Sequence, residues 1–155
     1  MSANDYAETI ALIERLHRRF LDVLRAELER HGIDEINNVQ GLLLANIGME
    51  EVSVGELMTR GYYLGSNVTY NLKRLVESGF VLQERSQRDR RVVRVRLSPK
   101  GQALCAKVEA MFERHRVALE DRSELTPLGG LNASLHHLEQ FWTEQLLKPA
   151  PDVPH

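Results

Sequence analysis

In Val93-Arg94-Val95-Arg96-Leu97, apolar and charged side chains alternate without a break. A period of two belongs to a strand with one face on a core. Val93, Val95 and Leu97 then face inward, while Arg94 and Arg96 face water. Phe80-Val81-Leu82, followed by Gln83-Glu84-Arg85, supplies a second strand across the turn-like Ser86-Gln87-Arg88-Asp89-Arg90. Nearly everything else repeats at three or four residues. The expected fold class is therefore mainly α with a small β-hairpin.

The helical stretches have readable ends. From about Asp5 to His31, Tyr6, Ile10, Ile13, Leu16, Phe20, Leu24 and Leu28 share one face, and Gly32 is placed to end the helix. Asn37 or Asn38 can cap a short helix carrying Val39, Leu42, Leu43 and Ile47 up to Gly48. Ser53-Val54-Gly55-Glu56 has the form of a capping box and opens a brief helix to about Arg60. Gly61 to Gly65 reads as a turn, and Ser66 as the cap of a helix running to Ser78, with Val68, Leu72, Leu75 and Val76 on one face. Two short helices around a glycine-containing turn are expected to form a helix-turn-helix. Gly79 stops the second helix. Ser98-Pro99 opens a long helix with apolar positions at Leu104, Val108, Met111, Phe112, Val117 and Leu119. Thr126 to Gly130 suggests a break. A last helix then places Leu128, Leu131, Leu135, Leu138 and Trp142 on a seam that requires another helix. The proline-rich end, 148–155, is expected to be a disordered tail.

Net charge conceals a division. The chain carries −2 overall, yet residues 60–101 hold ten Lys or Arg against three acids, Glu77, Glu84 and Asp89. A positive centre on an acidic body suggests one face for a polyanion, with the remainder kept from binding it indiscriminately. The 155 residues suffice for one domain. No apolar run approaches the roughly 20 residues of a bilayer span, no signal peptide is evident, and a single cysteine fits a reducing cytosol. The expectation is a cytoplasmic protein without a membrane partner.

The order of helices, helix-turn-helix, hairpin and two long helices resembles the MarR family of winged-helix regulators. The most specific match is Asp89-x-Arg91 followed by Leu97-Ser98 and Lys100-Gly101, similar to the family's wing signature, with serine where threonine is commoner. NVTYNLKRLVESGFV (67–81) is similar to the family's recognition helix and first wing strand, and the likeness covers roughly 5 to 147. It implies a single domain over 1–147, with dimerisation helices at about 5–31 and 99–147 and a winged helix-turn-helix at about 37–98. It further implies a homodimer on a pseudo-palindromic operator in double-stranded DNA, repression as the outcome, and release by a small anionic or phenolic effector. Asp89 is then expected to pair with a wing arginine, most plausibly Arg91, and to brace the turn.

A helix in the major groove needs short polar groups near its N-terminus and cations for phosphates. Ser66, Asn67, Thr69 and Tyr70 suit the first role, Lys73 and Arg74 the second. At the hairpin, Arg88, Arg90 and Arg91 can approach a minor groove, with Arg90 foremost, while Arg94 can hold phosphate. An exposed strand guarded by charge would explain Arg94 and Arg96 equally well, but not the cluster at 88–91. For the effector, His17, Phe20, Asn38, Tyr62 and Tyr63 are candidates, alongside Leu24 and Leu42. Ile10, Ile13, Leu131, Leu135, Leu138 and Trp142 are candidates for the dimer interface.

The first helix lacks the cysteine of peroxide-sensing members and the tryptophan of urate-responsive ones. Cys105 beside Leu104 reads as a buried thiol, with a redox-responsive regulator as the alternative. His136-His137 with Glu139 matches no zinc spacing, so neither metal nor cofactor is expected. No phosphate-binding glycine loop and no GxSxG appears, so an enzyme is not expected. The remaining competitor is a winged-helix protein-interaction module without DNA binding, against which the charge division speaks.

Overall fold

A computed structural model describes residues 1–60, 65–122 and 127–148, with the backbone alone for Ser66. In chain order the elements are α1 (Ala3–Arg30), α2 (Asn38–Ile47), β1 (Val52–Ser53), α3 (Val54–Thr59), α4 (Gly65–Glu77), β2 (Val81–Arg85), β3 (Val93–Leu97), α5 (Pro99–Glu120) and α6 (Leu128–Leu147). The chain forms two compact units, Met1–Phe112 and Glu113–His155, with the boundary inside α5. The expected turn at 61–64, Thr126 of the expected break and the tail beyond Lys148 lie outside the described residues, whereas Leu128, Gly129 and Gly130 of that break already belong to α6.

In the first unit the helix ends follow their local chemistry. Asn37 caps α2, its side chain accepting from the Gln40 amide while the Gln40 side chain accepts from the Asn37 amide. Ser53 and Glu56 form the same reciprocal pair at α3. Helix α4 begins at Gly65, so Ser66 lies just inside it rather than at its cap. Gly79, at φ 80°, gives the left-handed turn that releases the chain from α4 into β2.

The hairpin gains a third strand. The antiparallel order is β1-β3-β2, with Val52 opposite Val95 on one side and Gln83 opposite Val95 on the other. The alternation in β3 holds, since Val95 and Leu97 are buried, Val93 is half-buried, and Arg94 and Arg96 are exposed. One apolar cluster joins Leu43, Leu44 and Ile47 of α2, Leu57 of α3, Val68, Leu72 and Leu75 of α4, the strand residues Val81, Val95 and Leu97, and Leu104 of α5 around Phe80. Val76 departs from expectation. It is exposed, because α4 buries only the arc of Val68, Asn71, Leu72 and Leu75.

Burial along α1 changes with position. Leu24 and Leu28 are covered by α2 and α5, Phe20 is half-buried against Phe112, and Tyr6 and Leu16 are exposed. In α5, Leu104, Val108 and Met111 are buried, whereas Phe112, Val117 and Leu119 are exposed. In the second unit, Leu128, Leu131 and Leu135 of α6 are exposed and Leu138 and Trp142 half-buried.

The start of α5 meets the end of α4 at close range. The Ser98 hydroxyl donates to the Gly79 carbonyl at 2.5 Å and accepts from the Gly101 amide at 3.1 Å, and the Ser98 amide donates to the Phe80 carbonyl at 3.0 Å. Lys100 Nζ donates to the Ser78 carbonyl at 2.9 Å, pairs with Glu35, and stands 4.5 Å from the Phe80 ring centroid. A Cβ on Gly101 would lie 2.1 Å from the Phe80 carbonyl oxygen, a separation that backbone atoms cannot absorb in place. Gly101→Ala is therefore expected to cost at least about 2 kcal/mol, lowering Tm by roughly 4–8 °C in calorimetry. An unchanged Tm would show that the two segments can part freely.

Candidate nucleic-acid interface

Two surfaces carry the positive charge, and both are built on the winged unit. On α4 the buried arc leaves Asn67, Thr69, Tyr70, Lys73 and Arg74 exposed along one side. Asn67, Thr69 and Tyr70 lie in the N-terminal half of the helix, where a groove-bound helix reaches base edges. Lys73 and Arg74 follow one turn later. Arg74 also meets Glu77 at 3.3 Å, an exposed pair worth little that can exchange for phosphate.

The second surface is the wing. Its connection closes by Ser86 N–H donating to the Val92 carbonyl at 2.9 Å, and Val92 N–H to the Asp89 carbonyl at 3.0 Å. The Ser86 hydroxyl accepts from the amides of Arg88 and Asp89 at 3.3 and 3.4 Å. Asp89 makes a different contact from the expected ion pair. Its carboxylate accepts the Arg91 backbone amide at 3.0 Å, so the Arg91 guanidinium is left available. A carboxylate two residues before an amide closes a local ring more readily than it orders a long flexible side chain. Arg85 reaches along the hairpin to the Arg90 carbonyl at 3.3 Å. Ser86 and Arg85 were missing from the expected set. The Ser86 contribution was available as a side-chain-capped turn, whereas that of Arg85 needed the three-dimensional register.

The arginines of the wing part company by face. Arg91 lines a cleft of about 390 Å³ with Thr69 and Leu72 of α4, Ser53 at the start of α3, and Gln83. Arg88 and Arg94 line another with Glu51 and Glu84. Arg94 stands opposite Glu84 in the sheet register, so its charge is partly offset by a neighbouring acid. Arg90 is exposed in the turn itself. Among the described residues, no ion pair joins Arg88, Arg90 or Arg91 to an acid.

The effector candidates are less united. His17 is exposed on α1, and Phe20 packs against Phe112 with ring centroids 6.1 Å apart. Asn38 is half-buried and donates to the Leu21 carbonyl at 3.0 Å, tying α2 to α1. Tyr62 and Tyr63 lie outside the described residues. Cys105 is buried, and burial, reinforced by Glu109, pushes its thiol above the ordinary value. That is the reverse of what a sensor thiol requires. Among the described residues, no His, Cys, Asp and Glu cluster could hold a metal, and no helix is long and apolar enough to cross a membrane.

A helix-turn-helix beside a small antiparallel sheet defines the winged-helix class. The family model described as MarR family matches residues 34–92. The chain is 41% identical over 141 residues to the exopolysaccharide II synthesis transcriptional activator ExpG of Rhizobium meliloti (strain 1021), covering 88% of this chain and 71% of that protein. This chain belongs to the MarR family of transcriptional regulators, and its relatives are regulators rather than enzymes. The fold is similar to that of FabT from Streptococcus pneumoniae in complex with DNA (TM-score 0.69, 21% identity, 90% of this chain and 99% of that one). It is also similar to Staphylococcus aureus MarR in complex with salicylate and kanamycin (TM-score 0.69, 20% identity, 95% and 96%).

Two outcomes follow. If Asp89 serves as a brace, Asp89→Ala should weaken binding to a specific duplex severalfold although it adds net positive charge. A mere charge effect would strengthen binding, and titration by fluorescence anisotropy separates the two signs. Native Cys105 should resist iodoacetamide at pH 7.5 and react fully in denaturant, as read by mass spectrometry. Fast alkylation of the native protein would restore the redox reading.

Proposed function

We propose that the protein is a sequence-specific regulator that binds double-stranded DNA as a homodimer, with α4 in the major groove and the wing tip at the minor groove. The carrying observation is that the exposed polar face of α4 and the unpaired tip arginines stand on one unit, while much of the chain outside that region is acidic. Asn67, Thr69 and Tyr70 read base edges, with Ser66 beside them, Lys73 and Arg74 hold phosphates, and Arg90 enters the minor groove with Arg88 and Arg91 flanking it. Arg94 contributes least, given Glu84 opposite. A protein-interaction module would not need tip arginines fixed by a dedicated turn.

Dimerisation is supported by apolar side chains that one chain leaves exposed, Leu12 and Leu16 on α1 and Leu131 and Leu135 on α6, with Ile10, Ile13, Leu138 and Trp142 half-buried beside them. The name of ExpG favours activation over repression as the sign of regulation. Salicylate bound to the Staphylococcus aureus protein supports release or retuning by a small aromatic anion. Such a ligand would enter near Phe20 and Leu42. A DNA-binding role supports the cytoplasm as its site of action.

If about four to six phosphates are neutralised per lobe, the log–log salt slope should be roughly −4 to −5 per lobe. Arg90→Ala should weaken operator binding about tenfold, or about 1.4 kcal/mol, with the greatest loss on A·T-rich flanks in a gel-shift titration. Binding unchanged by Arg90→Ala at moderate salt would remove the wing from the interface.

A further inference from the structure

The inward face of α4 contains one polar residue among its apolar ones. Asn71 is 7% exposed, between Val68, Leu72 and Leu75, and its side-chain oxygen accepts from Gln40 Nε2 of α2 at 3.3 Å. Gln40 is itself 4% exposed and held at its other end, because its side-chain oxygen accepts the Asn37 amide at 3.0 Å within the α2 capping box. Helix α2 is fixed in turn. Leu43, Leu44 and Ile47 are buried, and Gly41 stands against Leu24 and Leu28 of α1. A directional contact therefore runs from the cap of α2 into the back of the reading helix.

Apolar packing is non-directional, so Val68, Leu72 and Leu75 would tolerate small rotations of α4 about its axis. A hydrogen bond is bounded in both distance and angle. The difference matters on the far side of the helix. With side-chain tips roughly 5–6 Å from the axis, a rotation of about 20° moves them by about 2 Å. That displacement is enough to break a side chain's paired hydrogen bonds to a base edge. Asn71 stands directly after Tyr70 and one turn after Asn67, so it is coupled to the reading positions with little intervening chain.

We propose that Gln40 and Asn71 are positioning residues for sequence discrimination, a buried amide pair that sets the rotational register of α4. The inference rests on the DNA-reading function proposed above and assigns it two residues that touch no DNA. Apolar groups of similar shape can replace both partners of a buried hydrogen bond at little cost, so the stability that the pair's removal costs is chiefly the Gln40 contact to the Asn37 amide, and discrimination can be read apart from it.

The test uses the full chain and three proteins: wild type, Gln40→Leu/Asn71→Leu, and Asn71→Ala. Wild type first selects its operator from a random duplex library, and affinities are then measured for that operator and for a scrambled duplex of equal length. Because Gln40→Leu also removes the acceptor of the Asn37 amide, the double variant should lose a few degrees of Tm yet keep its affinity for the scrambled duplex, while its ratio of specific to non-specific affinity falls at least tenfold. An undiminished ratio in the folded double variant would overturn the proposal. If the double variant does not fold, Asn71→Ala, which trades a weak helix former for a strong one, decides on the same ratio. A wild type that selects no sequence overturns the DNA reading itself, and this inference with it.

Discussion

The winged unit depends on the close approach of α5 to the turn that ends α4. Where a side chain would otherwise stand, Gly101 admits the Phe80 carbonyl, and Ser98 bonds to both Gly79 and Phe80. This seats Phe80 at the centre of a core shared by helices and strands. It also fixes where the chain leaves the sheet after Leu97. Lys100 adds three contacts, to Ser78, Glu35 and the Phe80 ring, so the end of α4, the connection before α2 and the start of α5 meet at one side chain. A lysine can serve this junction while keeping its ammonium partly in water, its stem lying on apolar surface. The sequence pattern Leu97-Ser98-x-Lys100-Gly101 thus has a mechanical meaning.

Charge is organised by the same scaffold. Among the described residues the tip arginines form no ion pair, and the polar side chains of the turn that carries them are spent on backbone amides. Asp89 and Ser86 between them take three amides, so the turn is closed without using any guanidinium as a fastener except that of Arg85. Placing an acid among arginines lowers the local charge by one and leaves the neighbouring cations better defined in direction. For recognition of a polyanion with a grooved shape, direction counts alongside total charge.

Much of this was legible in sequence because it rests on local rules. The Ser53–Glu56 box, the asparagine cap of α2, the stop at Gly79 and the alternation of β3 follow from neighbours within four residues. What escaped depends on distant partners. Strand β1 is two residues long, too short to show a period, and exists because Val52 finds Val95. Val76 has helical spacing to Leu72, yet α4 is covered over a narrower arc than that spacing suggests. Asn71 reads as a surface residue until Gln40 is placed against it. The ion pair that the family resemblance implied for Asp89 is an amide contact here, because the turn geometry that sets it is not visible in a sequence. The exposed stretches of α1 and α6 are a different case, since a single chain's pattern names an apolar face without naming what covers it.

The sheet order has a bearing on solubility during assembly. With β3 in the middle and β1 only two residues long, β2 presents the one extended free edge among the described strands. An uncovered edge invites pairing with the same edge of another molecule, and two lobes brought together on one oligomer would raise the local concentration of such edges. Gln83, Glu84 and Arg85 occupy most of that edge and are all exposed. Mixed charge there penalises strand addition between copies. The polar end of β2 therefore keeps a protein with several uncovered apolar faces from joining through its sheets.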